Sequence, residues 1–363
     1  MQNYDFLKKS YFYDDKMMKD EIVSIAGDCM QQLAAIVLKN TINYPVEYYT
    51  IYLEDITFQI ALDEEGNLAR SGIKCNTSGI DKGIYDTEIV IIENDSEKAM
   101  QVIHETLEKH KYAILRTADA LLPFSIYYQP DNFITSKFNP EGHVFMIIGE
   151  DDENYYYVEQ LSEVNEKGYR HVPGRNDIGV YEKEKFKEAL SIFAGVAVFQ
   201  FRRQNILRSH EFSMEILRKM GYHYYNNIDT SMVKWDNVRI SGGKCALMVL
   251  EKILGDRNLS MDRKVYNFTK EEYSHFDVGK ELFNGITGIV NRRMVLAGYL
   301  EKENFHPQIL YDDIYMWNTL KAILIRRYYR QKYLLGSTEE LECMKQIIVL
   351  EEKIFEFLKQ YTT

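Results

Sequence analysis

Cys29 and His143 are two residues whose types and positions allow nucleophilic catalysis. Cys29 stands at the expected start of a helix, because apolar residues recur at three-and-four spacing from Met30 to Leu38. The free N–H groups and the positive dipole end of a first helical turn stabilise a thiolate, the nucleophilic form of cysteine. His143 opens an expected strand and could accept the proton of the thiol. Together they predict an acyl group carried on Cys29.

An imidazole base of this kind needs a third group to hold its ring in one orientation. The strand that begins at His143 is expected to turn at the acidic run Glu150–Glu153 and to return at Tyr155–Glu159, as a hairpin. Glu159 and Gln160 both lie at the far end of the returning strand. The sequence leaves the choice between them open, because one extra residue in the turn would exchange their places.

Other motifs carry weaker signals. The segment Ser241–Cys245 reads SGGKC and resembles part of a phosphate-binding loop, but it has no Ser or Thr after the lysine and is expected to open a helix with Ser241 as N-cap. The acidic run Glu150–Glu153 lacks the pattern of a calcium loop. Cys75, Cys245 and Cys343 have no comparable context, and we expect structural roles for them.

The elements that must position these residues change in character near residue 204. Before it, helices alternate with short strands, including single strands at Tyr112–Asp119 and Gly195–Arg203. After it, nearly all of the chain has helical periodicity. We therefore predict an α+β domain over residues 1–203, with a Cys-bearing helix on an antiparallel sheet, and an all-helical domain over residues 204–363.

Composition narrows the possible partners and locations. The net charge of −11 argues against binding to nucleic acid or to an anionic membrane. The most apolar stretch has about 13 residues, too few to span a bilayer, and Met1–Lys16 does not have the character of a signal peptide. Four cysteines without a CxxC pair favour neither a zinc site nor a disulfide framework. These features predict a cytoplasmic protein without a metal or an organic cofactor.

Two segments carry a resemblance to a known family. LRTADALLPFSIYY, which contains Asp119, precedes GHVFMIIGEDDENYYYVEQ, which contains His143. Together they resemble papain-like enzymes related to bacteriocin-processing peptidases and, more closely, the butirosin-biosynthesis H-type acyltransferases. The later segments GGKCALMVLEKIL, NRRMVLAGYLEKE and YMWNTLKAIL, and the closing helix, resemble the same group, so that the resemblance covers most of the chain.

The resemblance implies a papain-like fold and an amide-forming acyltransferase. Such an enzyme takes an acyl group from the phosphopantetheine thioester of an acyl or peptidyl carrier protein and passes it to a small-molecule amine in specialised metabolism. Cys29 would match the nucleophile and His143 the base. Two positions depart from the pattern: Ile22–Gly27 lacks the Gln that completes an oxyanion hole in the peptidases, and Glu159-Gln160 replaces the usual Asp. A thioester is already activated, so these departures disfavour a peptidase more than a transferase.

Two other functions remain as alternatives. The first is a cysteine peptidase or amidase of the same fold, and the second is a non-catalytic binding module. An acidic carrier protein would also need a basic docking patch on this acidic chain. The candidates for that patch are Arg202/Arg203, Arg292/Arg293 and Arg326/Arg327/Arg330.

Overall fold

The structure is a computed structural model, and it describes most of the chain. The described residues are 29–42, 53–63, 65–75, 81–126, 128, 142–159, 164–226, 239–256, 262–267, 272–330 and 337–361. They form an α+β protein, as predicted from the sequence. The chain divides into two compact units, residues 1–48 with 84–206 and residues 49–83 with 207–363.

The first unit is built on a seven-stranded antiparallel sheet with the order β3-β9-β4-β5-β6-β8-β7. Its strands are β3 (Tyr85–Glu93), β4 (Ala113–Ala118), β5 (Gly142–Glu150), β6 (Asn154–Val158), β7 (His171–Val172), β8 (Arg175–Glu182) and β9 (Phe193–Phe201). Its helices are α1 (Cys29–Ile42), α3 (Ser96–His110) and α4 (Lys183–Ile192), and the single turn α2 (Asp81–Ile84) lies at the boundary between the units. The predicted hairpin and both predicted single strands are present.

One face of this sheet packs against α3 and α4. Ala99, Ile103 and Leu107 recur at helical spacing and form the buried face of α3. They join a core in which Phe145 and Ile147 alternate along β5. Burying side chains of this size stabilises the unit by about 1.5–3 kcal/mol each. The core therefore fixes which side chains of β5 face the helices.

The second unit contains short strands as well as helices. Its strands are β1 (Phe58–Leu62), β2 (Leu68–Cys75), β10 (Arg239–Gly242), β11 (Asp262–Asn267) and β12 (Glu272–Asp277). Its helices are α6 (Ser209–Asn226), α7 (Gly243–Gly255), α8 (Val278–Lys302), α9 (Gln308–Tyr329) and α10 (Thr338–Tyr361), whereas the single turn α5 (Arg203–Ile206) is the last element of the first unit. No helix in the described part of the chain has the length and apolarity needed to cross a membrane.

The predicted division at residue 203/204 needs two corrections. Residues 49–83 belong with the second unit, because β1 pairs with both β2 and β10 in a three-stranded sheet. The second half is also not all-helical, since β10, β11 and β12 lie within it. Local periodicity missed β10 because it has only four residues, and its pairing with β1 joins positions far apart in sequence.

The SGGKC segment forms a turn from strand to helix. Gly243 has φ of +54°, and a Cβ there would lie 2.3 Å from the Tyr224 carbonyl oxygen, so only glycine fits. The N-cap of α7 is Gly242, without a side-chain hydrogen bond, so the expected Ser241 cap is wrong. This close packing explains the glycine at position 243.

The beginning of the last helix agrees with its predicted capping box. Glu340 accepts hydrogen bonds from the backbone N–H of Ser337 (2.7 Å) and from its hydroxyl (2.5 Å). The preceding helix α9 ends at Tyr329, and the expected cap at Gly336 lies outside the described residues.

A buried charge network occupies the core of the second unit. Arg293 donates to Asp313 (2.7 Å) and to Glu351, and all three side chains are fully buried. Trp317 Nε1 donates to the same Glu351 carboxylate at 3.0 Å. One guanidinium thus serves two carboxylates. Burial, and then the nearby Glu351 charge, raise the pKa of Asp313 well above its usual value.

Replacing the cation of this network should strongly destabilise the protein. We expect Arg293→Met to lower the free energy of unfolding by about 3–5 kcal/mol, because two buried carboxylates lose their partner. Arg326→Met is the matched control, since the Arg326–Glu339 pair is exposed and worth about 0–1 kcal/mol. Urea unfolding followed by tryptophan fluorescence measures both. Equal losses in the two variants would contradict this role of Arg293.

The raised pKa of Asp313 also predicts a pH dependence. The folded protein holds this proton to a higher pH than the unfolded chain, whose Asp titrates near pH 4. Rising pH above about 4 therefore lowers the free energy of unfolding through this group. Asp313→Asn removes that contribution, so the stability of the wild type relative to the variant should fall as the pH rises above about 4. A difference that stays constant with pH would contradict the shift.

Candidate functional site

Cys29 is the first residue of α1 and is partly exposed. The first turn of α1 contains no acidic residue that would oppose the helix dipole. The helix is buried from Gln31 through Leu38, and it packs against β5 and β9 of the sheet. The Cys-bearing helix therefore lies against β5, the strand in which His143 is the second residue.

His143 is hydrogen-bonded to Glu159, with Nε2 and Oε2 2.6 Å apart. The side chain of Glu159 is only 2% exposed and that of His143 is 12% exposed. A buried carboxylate is stable only with such a partner. Because a carboxylate accepts hydrogen bonds, the imidazole donates its Nε2 proton to Glu159, and in the neutral form of the ring the lone pair lies on Nδ1. Nδ1 is thus the nitrogen that can act as a base.

A bulge in the hairpin accounts for this contact. Gly149 pairs with Tyr156, but Ile147 pairs with Tyr157, so β5 contains one extra residue between the two positions. Beyond the bulge, Met146 pairs with Val158, which puts Glu159 on the same face as Phe145 and His143. Without the bulge, the residue reaching that face would be one position further along the chain.

Of the two residues that the sequence left open, Glu159 is the one that contacts His143 in the structure. The sequence had allowed for an extra residue in the turn, whereas the extra residue lies in β5. Gln160 lies outside the described residues, as do Ile22–Gly27 and thus any oxyanion-hole donor there.

Stacked aromatic rings support the His143–Glu159 pair. Phe145 lies two residues beyond His143, and the two rings are nearly parallel with centroids 6.3 Å apart. Tyr157 packs edge-on against Phe145 at 5.6 Å and stacks on Phe124 at 4.4 Å. Burial, and then the neighbouring Tyr169 and Glu159, raise the pKa of the Tyr157 hydroxyl. The pair therefore rests on a rigid and largely apolar support.

Two residues near His143 were not assigned a role from the sequence. Thr117 pairs with His143 across β4 and β5, and its hydroxyl lies 2.8 Å from the carbonyl oxygen of Phe193 and 3.0 Å from that of Ala189. Asp119 follows directly after β4, and its buried Oδ1 has no hydrogen-bond partner among the described residues. From the sequence, Asp119 was named only as part of the segment that resembles the acyltransferase family, because no local sequence pattern marks a single aspartate as functional.

The other cysteines differ in their surroundings. Burial raises the pKa of Cys75, and it raises that of Cys343 to about 11, so both are poor nucleophiles at neutral pH. Their expected structural roles agree with their burial. Cys245 is exposed on α7, so a packing role for it is wrong.

The acidic turn opposite the His143 end of β5 is held by specific contacts. Glu150 lies 2.6 Å from His104 and 2.6 Å from Lys183. Asp151 accepts hydrogen bonds from the backbone of Asn154 (2.7 Å) and from the hydroxyl of Tyr156 (2.6 Å). These contacts attach the hairpin turn to its neighbours. In the described residues, no group of three or more His, Cys, Asp or Glu side chains is placed to hold a metal ion.

The predicted docking patches are mostly neutralised. Arg293 is fully buried and Arg292 is paired with Glu54, so Arg292/Arg293 as a docking patch is wrong. Three arginines of the other two patches also have acidic partners, the pairs being Arg202–Asp86, Arg326–Glu339 and Arg327–Glu340. Arg203 and Arg330 have no ion-pair partner among the described residues.

The Glu159 contact predicts the tautomer of His143. In the neutral imidazole we expect the proton on Nε2, and ¹⁵N chemical shifts of labelled histidine measure its position. Glu159→Gln should keep this tautomer, because the amide oxygen also accepts a hydrogen bond. Glu159→Ala should give a mixture of both tautomers. The signal is assigned by its loss in His143→Asn, and a pure Nδ1–H form in the wild type would contradict the geometry.

The chain was compared with known proteins. No family model matches it, and no curated protein sequence matches it either. The arrangement of Cys29, His143 and Glu159 is therefore the ground on which a function can be proposed.

Proposed function

We propose that the protein is an amide-forming acyltransferase on a papain-like fold. The observation that carries the proposal is the partly buried hydrogen bond between Glu159 and Nε2 of His143, which lies on the strand against which the Cys29 helix packs. A partly exposed cysteine at a helix start, a base and a group that orients the base are the three parts required for covalent acyl transfer.

The first step forms an acyl-enzyme. The Cys29 thiol gives its proton to His143 Nδ1, and its sulfur attacks the carbonyl carbon of a thioester. The new C–S bond forms as the bond to the donor sulfur breaks, and the donor leaves as a thiol with the proton from His143. Glu159 stabilises the imidazolium that exists between these events. A thioester is the favoured donor because it is activated more than an amide.

The second step transfers the acyl group to an amine. The amine nitrogen attacks the acyl carbon, and His143 takes the proton that the nitrogen loses. Cys29 sulfur leaves and regains a proton from His143, so that the enzyme returns to its starting state with an amide as product. The donor in this proposal is the phosphopantetheine thioester of a carrier protein, and the acceptor is a small-molecule amine.

Basic residues for docking an acidic carrier protein are fewer than the sequence indicated. Arg203 and Arg330 remain as candidates, because each is exposed and has no ion-pair partner in the described part of the chain. The ion-paired arginines would have to leave their own carboxylates before they could bind a partner.

Acyl-enzyme formation tests the proposal directly. The protein is mixed with a simple acyl thioester and analysed by intact-protein mass spectrometry. We expect one acyl adduct on the wild type and none at this site in Cys29→Ala. Cys245→Ala is the matched control, since that thiol is exposed but has no such histidine–glutamate pair assigned to it, and it should keep the adduct.

The fate of the adduct separates the competing functions. Discharge by added amines faster than by water supports the acyltransferase. Discharge by water at the same rate would instead indicate the peptidase or amidase. The third outcome is that no adduct forms and that the pH dependence of Cys29 alkylation gives an ordinary thiol pKa. This outcome would contradict catalysis and indicate a binding module.

A further inference from the structure

The strand β3 forms one edge of the seven-stranded sheet. All nine of its residues, Tyr85 to Glu93, pair with β9 in one unbroken register. On its other side no strand of the described residues pairs with it. Within the described part of the chain, the outer N–H and C=O groups from Asp86 to Glu93 therefore face no other strand.

This edge lacks several of the features that usually prevent strand pairing. Its sequence, YDTEIVIIE, contains no Pro, Lys or Arg, and its register has no bulge. The opposite edge differs, because β7 has only two residues and an irregular register. A long, regular and unprotected edge normally has a partner.

The centre of the strand is also apolar and exposed. Ile89 is 47% exposed, Val90 46% and Ile91 66%. Since side chains alternate along a strand, Ile89 and Ile91 lie on one face and Val90 on the other. The unpaired edge is thus apolar on both of its faces at the same place.

We propose that β3 pairs with β3 of a second copy of this chain, antiparallel about a two-fold axis at Val90. The order Ile-Val-Ile reads the same in both directions, so this register puts Val90 opposite its own copy and Ile89 opposite the second copy's Ile91. The exposed apolar side chains then cover one another. A self-complementary patch forms a closed dimer, in which one strand supplies both halves of the contact.

The charges of the strand fit the same register. Glu88 falls opposite Ile92 of the second copy, and Glu93 falls opposite Thr87, so no carboxylate faces another. Within each chain, Asp86 is paired with Arg202, and Glu88 accepts a hydrogen bond from Gln200 at 2.6 Å. The side chains of Asp86 and Glu88 are thus held toward β9 and away from the proposed contact.

The dimer is tested by sedimentation velocity at micromolar concentration. We expect the wild type to sediment as a dimer and Ile91→Lys as a monomer, because the lysines would be brought beside the partner strand. Val349→Lys, at an exposed apolar position on α10, is the matched control and should stay dimeric. Circular dichroism confirms that each variant is folded. A monomeric wild type, or a folded Ile91→Lys variant that remains a dimer, would overturn the proposal.

A disulfide tests the register. In a Cys245→Ala background, Val90→Cys places the two new thiols opposite each other, with Cβ atoms about 4.5–5.5 Å apart, and oxidation should link the chains. Glu88→Cys is the control, because its two copies would lie about 13 Å apart along the strands. Linking of Glu88→Cys but not of Val90→Cys would overturn the two-fold axis at Val90.

Discussion

The alternation of side chains along β5 and β6 is the constraint on which the site depends. A strand directs successive residues to opposite faces, so the pairing register of a hairpin determines which residue of the second strand lies beside His143. The single bulge between Ile147 and Gly149 shifts this register by one residue. A shift of this kind makes Glu159 the partner of the imidazole. In the proposed chemistry, a carboxylate at this position stabilises the imidazolium that forms in both steps.

The core of the second unit contains a network of buried charged side chains. The side chains of Arg293, Asp313 and Glu351 are fully buried in this core, where a charged group is stable only with a partner. Arg293 connects α8, α9 and α10 by contacting one carboxylate on each neighbouring helix. Such a network contributes less to net stability than an apolar core would, but it accepts only one relative placement of the three helices. We infer that it fixes the arrangement of the unit.

The sequence predicted those features that local patterns encode. Helical spacing located α1, α3, α7 and α8 closely, and alternation with an acidic turn located the hairpin of β5 and β6. Cys29 and His143 could be found because each opens such an element. The choice between Glu159 and Gln160 could not be made, since a bulge leaves no signature in this sequence. Pairing of β1 with β10 was likewise invisible, because it depends on contacts between distant segments.

The interleaving of the two units has a consequence for synthesis on the ribosome. Residues 49–83 are made early, yet the strand β10 that completes their sheet begins about 160 residues after β2 ends. At usual elongation rates of about 5–20 residues per second, β1 waits roughly 10–30 s for this neighbour. During that time synthesis of the first unit is completed, while the apolar edge of β1 in the second unit has not yet been covered by β10. The nascent chain therefore passes through a stage in which one unit can fold and the other cannot, and this is when chaperones would bind it.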